Sequence, residues 1–166
     1  MQKPEVTNHE AALILLNIAS VIEMLAGNPY RVRAYRRAAQ LLLRLRRPAG
    51  EYLTPEGELA LPLLGASLRR KLGELFVQGE MQFYRDLYAS LPPEMVRLME
   101  VRGIGPRIAL RLYVELGIGS AEELIASAER GEIRRLYRFG DVSEAKLATA
   151  ARELLAAREP ALAVAA

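Results

Sequence analysis

The sequence predicts an all-α protein of two small helical subdomains that carry helix-hairpin-helix motifs. Branched apolar residues recur at helical spacing, and no two-residue alternation persists long enough to indicate a strand. Capping residues, glycines and prolines divide the chain into segments of helix length. At 166 residues, 51% of them hydrophobic, the chain has enough apolar material for one domain or two small ones. We place the boundary near Ser90 to Pro93, giving subdomains over 1–90 and 91–158 and a flexible tail over 159–166.

Local capping signals define the helices of the first half. Thr7 and Glu10 form a capping box ahead of an apolar segment from Ala11 to Leu25, and Gly27 ends that helix. Asn28 caps the next helix, which has a proline in its first turn. The expected second, third and fourth helices cover residues 29–47, 66–78 and 82–89, with a loop over 48–57.

The second half has similar signals. Pro93 is expected to open a helix, and Ser120 with Glu123 forms another capping box for a helix that ends before Gly131. Ser143 is expected to cap the last helix, which runs to about residue 158. Between these lie a short helix over 132–137 and a weaker hairpin over 139–142.

The most informative stretch is Leu98 to Tyr113, which predicts two short helices joined by a Gly-Ile-Gly turn. Gly103 and Gly105 allow a tight turn and a close approach of the backbone to a ligand. Pro106 suits the first position of the next helix, whose unpaired N–H groups and positive dipole end favour a phosphate. This pattern matches the helix-hairpin-helix motif. The alternative interpretation is an ordinary helical corner that binds nothing.

The distribution of charge along the chain restricts the kinds of binding partner that the sequence predicts. The net charge is only +3, but residues 28–50 contain seven arginines and no acidic residue. Such a block favours a phosphate-bearing partner, because arginine grips phosphate oxygens bidentately. The alternative is a solvated helix face whose arginines pair with glutamates elsewhere.

Several classes of site are excluded by composition. The chain has no cysteine and only one histidine, His9, so it has no disulfide, no thiolate nucleophile and no Cys- or His-rich metal site. No apolar run approaches the ~18 residues of a membrane span, and the N-terminus lacks the pattern of a signal peptide. We therefore expect a cytoplasmic protein, associated with the nucleoid if it is bacterial, with no membrane partner.

Three sequence blocks, in this order, resemble the N-terminal region of family X DNA polymerases. They are Asn28-Pro-Tyr-Arg-Val-Arg-Ala-Tyr-Arg-Arg-Ala-Ala39, Leu61-Pro-Leu-Leu-Gly65 and Val101-Arg-Gly-Ile-Gly-Pro106. The resemblance implies a lyase-type subdomain, here with a degenerate hairpin, followed by a helix-hairpin-helix subdomain. The chain has only two aspartates, Asp86 and Asp141, so it lacks the three metal-binding aspartates of the family's polymerase palm. We therefore expect no polymerase activity from this chain alone.

The resemblance also implies a set of binding groups at the Gly-Ile-Gly hairpin. A DNA phosphate would be held by backbone N–H groups around Gly103, Gly105, Arg107 and Ile108. A monovalent cation, Na⁺ or K⁺, would be held by the backbone carbonyls of Met99, Val101 and Ile104, and no other cofactor is expected.

At the first hairpin, Leu63 replaces a glycine of the family pattern. A leucine disfavours positive φ and hinders close approach. We expect that loop to be mainly structural, with weak phosphate contact.

The resemblance assigns a lyase nucleophile to Lys71, which aligns with the family lysine that forms a Schiff base with a 5′-deoxyribose phosphate. Arg31 and Tyr35 match positions that hold the 5′-phosphate, and Arg36 and Arg37 are further candidates for DNA phosphate contact. A third phosphate-binding lysine of the family is replaced by Ser67. Glu74, one turn after Lys71, would oppose the nucleophile if the two side chains paired. The alternative interpretation of Lys71 is a solvated helix lysine.

Together these features predict sequence-independent DNA binding in DNA repair, at gaps, nicks, ends or single-strand/double-strand junctions, with repair proteins as further partners. One alternative is a deoxyribose-phosphate or abasic-site lyase that acts through Lys71. Another is a protein-interaction module that has lost DNA binding, with the basic block serving an acidic partner.

Overall fold

The part of the chain described by the computed structural model, residues 5–164, consists of helices and loops, with side chains described for residues 5–158. No strand forms over these residues, although an isolated antiparallel bridge joins Leu53 to Leu59. The predicted all-α class is confirmed. The chain divides into two compact units, with unit 1 ending at Ser90 and unit 2 beginning at Leu91.

Unit 1 is organised around a pair of packed helices, α1 and α2. The predicted capping box begins α1, since the Thr7 hydroxyl accepts from Glu10 N at 3.2 Å and the Glu10 carboxylate accepts from Thr7 N at 2.8 Å. The apolar faces of both helices are buried together with Leu72 and Leu75 of α3. The helices of unit 1 are α1 (Asn8–Met24), α2 (Pro29–Arg44), a 3₁₀ helix (Ala49–Tyr52), α3 (Ala66–Gln78) and α4 (Gln82–Ala89).

Helix α2 ends at Arg44, before the expected end at Arg47. Pro48 disfavours the helical conformation for the residue that precedes it. Asn8 then fixes the chain beyond the helix, because its Nδ2 donates to Arg47 O at 2.8 Å and its Oδ1 accepts from Ala49 N at 2.7 Å. A contact with the start of α1 therefore decides where α2 stops.

Unit 2 places the predicted Gly-Ile-Gly turn between α5 and α6. Leu98, Val101, Ala109 and Leu112 are all at most 1% exposed and lock these two helices together. The helices of unit 2 are α5 (Pro93–Met99), α6 (Pro106–Leu116), α7 (Ala121–Glu129), a 3₁₀ helix (Ile133–Arg135) and α8 (Asp141–Val164).

Several expected boundaries in unit 2 are corrected. The short helix over 132–137 is a single 3₁₀ turn at Ile133–Arg135. Ser143 is not a cap, because α8 already begins at Asp141, where Glu144 N donates to Gly140 O at 3.0 Å. Helix α8 also continues to Val164, past the expected end, since the residues after Pro160 are mostly alanine, which favours helix. Residues 165–166 of the expected tail lie outside the described residues.

Candidate nucleic-acid interface

The Gly-Ile-Gly hairpin of unit 2 has the backbone geometry that the sequence predicted. Gly103 adopts φ +90°, a conformation that favours glycine, and Gly105 is the extended N-cap of α6, with φ −91° and ψ 178°. Ile104 lies between them, 5% exposed, and its N–H donates to Val101 O at 3.0 Å. The hairpin is therefore anchored by buried apolar side chains while its two glycines form the turn.

The start of α6 is where the predicted phosphate donors lie. No side chain caps this helix end, and amide groups of a first helical turn have no acceptor within their own helix. Arg107 is exposed and Ile108 is half-buried, so the first turn lies at the protein surface. The backbone amides and the positive end of the helix dipole are therefore available to bind an anion.

The predicted cation ligands Met99, Val101 and Ile104 occupy the end of α5 and the turn itself. Their carbonyl oxygens are hard donors, the type that Na⁺ and K⁺ prefer, so the donor chemistry fits a monovalent cation. The Val101 carbonyl also accepts the hydrogen bond from Ile104 N and keeps a second lone pair for an ion. Among the described residues, no group of three or more histidine or carboxylate side chains is placed to hold a metal.

The sequence predicts three hairpins, and the structure shows that they share one turn geometry. Leu63, Gly103 and Arg138 all have positive φ, at 67°, 90° and 65°. Each is followed by an apolar residue, by a glycine and then by the first residue of α3, α6 or α8. The pattern can be read from the segments Leu-Pro-Leu-Leu-Gly, Val-Arg-Gly-Ile-Gly and Leu-Tyr-Arg-Phe-Gly.

The first hairpin corrects one expectation. Leucine was expected to disfavour positive φ at position 63, yet Leu63 adopts φ +67° with 96% of its side chain surface exposed. The following Leu64 is buried, at 8% exposed, and Gly65 is the N-cap of α3. Packing of Leu64 and the start of α3 thus hold the turn in place, and Leu63 bears the backbone strain without contributing to the core.

The third hairpin is supported by a network of charges. The Arg111 guanidinium lies 5.2 Å from the centre of the Phe139 ring and donates to Tyr137 O at 2.7 Å. Glu144, 2% exposed, accepts from Arg134 N at 2.9 Å and from Arg134 Nε at 2.6 Å. Burial opposes ionisation of this carboxyl, but the hydrogen bonds from Arg134 outweigh burial and hold the pKa of Glu144 below its ordinary value.

An open groove of about 940 Å³ lies beside the second and third hairpins of unit 2. Its floor is apolar, with Ile108, Val142 and Leu147, and the two hairpins contribute Gly103 and Phe139. The predicted phosphate-binding turn therefore borders a surface depression.

In unit 1, the structure brings Lys71, Tyr35 and Arg31 into one cluster. Lys71 Nζ donates to the Tyr35 hydroxyl at 2.8 Å, and Tyr35 itself is only 3% exposed. Phe83, which sequence reasoning missed, lies at the centre of the cluster. Its ring lies 3.8 Å from Lys71 Nζ and 5.4 Å from the Arg31 guanidinium, and it stacks on Tyr35 with ring centres 6.1 Å apart. No sequence signal marks Phe83, because α4 brings it to this place only through the tertiary fold.

Glu74 does not pair with Lys71 in the described structure. Its carboxylate accepts a hydrogen bond from Gln82 N at 2.9 Å, where it serves the start of α4. Lys71 is half-buried, and its described contacts are with Tyr35 and Phe83.

The remaining arginines of α2 differ in the contacts that they make. Arg36 forms a bidentate pair with Glu23 of α1, at 2.7 and 3.3 Å, so it is held away from the Lys71 cluster. Arg33 lies 4.7 Å from the centre of the Tyr30 ring. Arg37 is exposed. The arginines at positions 31, 33, 36 and 37 therefore lie on more than one face of the helix, as their spacing in the sequence predicts.

None of the helices, over the residues that the structure describes, is both long and apolar enough to cross a membrane. One surface ion pair of unit 2 joins Arg130 to Glu132 at 2.8 Å. Hydrogen bonds from Arg130 and then from Ser127 lower the pKa of Glu132 from 4.5 to about 2.

Comparison with known proteins agrees with this geometry. Residues 6–81 match the family model of a helix-hairpin-helix domain, and residues 95–156 match that of a SAM-like helix-hairpin-helix tandem. Over 140 residues the chain is 29% identical to the DNA polymerase/3′-5′ exonuclease PolX of Bacillus subtilis (strain 168). The aligned region is 84% of this chain and 24% of that relative, so the chain spans about a quarter of its length. The chain is thus an all-α pair of helix-hairpin-helix regions related to part of a family X DNA polymerase.

Proposed function

We propose that the chain binds DNA independently of base sequence, by seating a backbone phosphate at the Gly103 hairpin of unit 2. The observation that carries this proposal is the combination of Gly103 at φ +90°, the uncapped start of α6 and the anchored Ile104. Backbone N–H groups read the phosphate and not the bases, so such contacts position a protein on DNA without specifying sequence. The helix-hairpin-helix matches and the polymerase relative support DNA as the partner.

The carbonyls of Met99, Val101 and Ile104 would hold Na⁺ or K⁺ beside that phosphate. The ion would supply positive charge between the carbonyl oxygens and the phosphate oxygens. Replacing both Na⁺ and K⁺ by a large organic cation at equal ionic strength is expected to weaken DNA binding. Unchanged affinity in that exchange would argue against the cation.

Gly103→Leu tests the hairpin, with Gly117→Leu as a matched control. The first hairpin shows that a leucine can occupy this turn position, since Leu63 does so. Gly117, at the end of α6, has φ +68° and open space around its Cβ position. Both variants therefore incur a similar conformational cost of about 1–2 kcal/mol. Gly103→Leu should weaken binding to a fluorescent duplex at least tenfold, and Gly117→Leu should not. Equal binding by the two variants would exclude the hairpin from DNA contact.

We also propose that the preferred DNA carries a gap, a nick or an end, as expected for a repair protein. A titration series with gapped, nicked, single-stranded and intact DNA of the same length measures this preference. Tighter binding to gapped or nicked DNA supports the proposal, and equal affinity for all four contradicts it. No DNA binding at low salt would favour a protein-interaction module instead.

A second candidate function, a deoxyribose-phosphate lyase, is favoured by the Lys71 cluster. Lys71 lies within hydrogen-bond distance of Tyr35, and both Lys71 and Arg31 contact the Phe83 ring, which supports a role for Lys71 as the nucleophile. The Lys71 amine would add to the C1′ aldehyde of the sugar and lose water to form an imine. Transfer of a C2′ proton to water and cleavage of the C3′–O bond, whose electron pair leaves on the phosphate oxygen, would then release the downstream DNA as a 5′-phosphate. Hydrolysis of the remaining imine would free Lys71.

Borohydride trapping on DNA with a 5′-incised abasic site tests this candidate. Lys71→Ala should abolish most of the trapped complex, whereas Lys146→Ala, an exposed lysine of unit 2, should leave it unchanged. Tyr35→Phe removes the hydroxyl that accepts from Lys71 and should reduce trapping. Absence of trapping by the wild-type chain, with DNA binding intact, would mean that the protein is a binding module only.

A further inference from the structure

A row of arginines lies along the outward face of α2. Its members Arg33, Arg37 and Arg44 are all exposed, and at 100° per residue they fall within about 40° of one another around the helix axis. Val32 and Leu42, which belong to the buried face of the same helix, are 4% and 1% exposed. The fold thus separates this arginine row from the core.

Three other arginines of the basic block have partners within unit 1, and Arg46, which is exposed, lies beyond the end of α2. Arg31 lies over the Phe83 ring, Arg36 pairs with Glu23, and Arg47 lies 3.5 Å from the carboxylate of Glu51. By contrast, Arg37 and Arg44 make no hydrogen bond or ion pair with the side chains or backbone that the structure describes, and Arg33 contacts only the Tyr30 ring. The row therefore has charge that the protein itself does not neutralise.

The dimensions and surroundings of the row fit a nucleic-acid backbone. From Arg33 to Arg44 the helix rises about 16 Å, and one DNA strand presents a phosphate per about 3.4 Å of duplex axis, so the row faces four or five phosphates. Gln40, which lies on this face between Arg37 and Arg44, is also polar, and the exposed Tyr30 ring at the start of the helix lies against Arg33. A stable protein interface has an apolar centre, which this face lacks, so a phosphate backbone fits it better than an acidic protein does.

We propose that the arginine row binds the phosphate backbone of DNA and forms a second contact that is separate from the Gly103 hairpin. This inference rests on the proposed DNA-binding function and adds unit 1 to the interface. Because each neutralised phosphate of duplex DNA changes the slope of log affinity against log salt by about 0.9, three arginines should account for about 2–3 of that slope.

The test compares two triple variants of equal charge change. Arg33→Gln/Arg37→Gln/Arg44→Gln removes the row, and glutamine keeps the helix propensity close to that of arginine. The control, Arg47→Gln/Arg85→Gln/Arg152→Gln, removes three exposed arginines that already pair with Glu51, Glu80 and Glu129. Affinity for a duplex is measured between low and moderate salt, with circular dichroism to check that each variant is folded.

The row variant is expected to lower the magnitude of the salt slope by about 2–3, and the control by less than 1. Equal slopes for the two variants would overturn the inference and would indicate that the row binds an acidic partner other than DNA. The Gly103→Leu and Gly117→Leu pair separates the two proposals. If Gly103→Leu loses affinity while the row variant matches its control, the hairpin binds DNA and the row does not. If wild-type protein shows no salt-dependent binding, both proposals fail.

Discussion

At the scale of single residues, the side chain at the tip of each hairpin differs while the backbone conformation stays the same. Leu63, Gly103 and Arg138 share positive φ, but only glycine adopts it without strain. The exposed leucine would meet a phosphate that approached the first hairpin, whereas the glycine leaves the amides of the second hairpin open. The identity of one residue therefore determines which of these turns can seat an anion closely.

Leu63→Gly is expected to leave the stability of the chain unchanged or to raise it by up to about 1.5 kcal/mol. The substitution relieves a left-handed conformation that costs roughly 1–2 kcal/mol. The greater freedom of glycine in the unfolded chain offsets about 0.5–1 kcal/mol of this gain. No packing is lost, because Leu63 is 96% exposed. The control Leu64→Gly removes a side chain that is 8% exposed and should cost about 2–5 kcal/mol. Thermal unfolding measures both, and a clear loss of stability in Leu63→Gly would show that its side chain contributes to the fold.

Acid should destabilise the chain in part through Glu132. Its pKa is about 2 in the folded protein against 4.5 for the free group, because Arg130 and Ser127 donate hydrogen bonds to it. A lowered pKa contributes stability above pH 4.5, and that contribution is lost as the pH falls from about 4.5 towards 2. Glu132→Gln should therefore melt at a lower temperature at pH 6 and lose less on acidification than wild type.

Glu122→Gln serves as the control for this pH series, since Glu122 is an exposed residue of α7 for which the structure describes no ion pair. Its melting temperature should follow that of the wild type at every pH. The explanation would be refuted if Glu132→Gln and Glu122→Gln showed the same acid dependence.

At the scale of elements, α3 is positioned by the absence of a side chain at Gly73. A Cβ there would lie 1.9 Å from the carbonyl oxygen of Gly57, so α3 can approach the preceding loop only with glycine at this position. Leu59 N also donates to Arg69 O at 3.0 Å, which ties the same loop to α3. Since α3 carries Lys71, this contact also sets the position of the candidate lyase nucleophile.

Gly73→Ala should destabilise unit 1 by about 2–3 kcal/mol, because the clash is with backbone atoms that cannot rotate away. Gly50→Ala is the matched control, since no heavy atom lies within 4 Å of its Cβ position, and it should change stability by less than about 0.5 kcal/mol. Chemical denaturation curves give both values. Similar stability of the two variants would show that the loop can move away from α3 without lowering the free energy of unfolding.

At the scale of the whole molecule, the two compact units predict independent folding. Residues 1–90 and 91–166, produced as separate chains, should each give a helical circular dichroism spectrum and a cooperative melt, because each unit has its own buried core. A chain cut after residue 46 separates α1 and α2 from the rest of the unit 1 core and should not fold. An unfolded 91–166 chain would mean that its helices depend on unit 1.

Features that depend on neighbouring residues can be predicted from the sequence alone. The all-α class, the Thr7–Glu10 capping box and the turn at Gly103 all follow from backbone chemistry within a few residues. Capping and glycine effects act over one helical turn, so short sequence segments are enough to predict them.

Tertiary packing determines which distant side chains meet. It placed Phe83 beside Lys71 and paired Arg36 with Glu23, and it ended α2 through Asn8. It also held Leu63 in a conformation that its own side chain disfavours. These outcomes depend on the packing of helices that are far apart in the chain, and core burial provides enough free energy to override a local preference of about 1–2 kcal/mol.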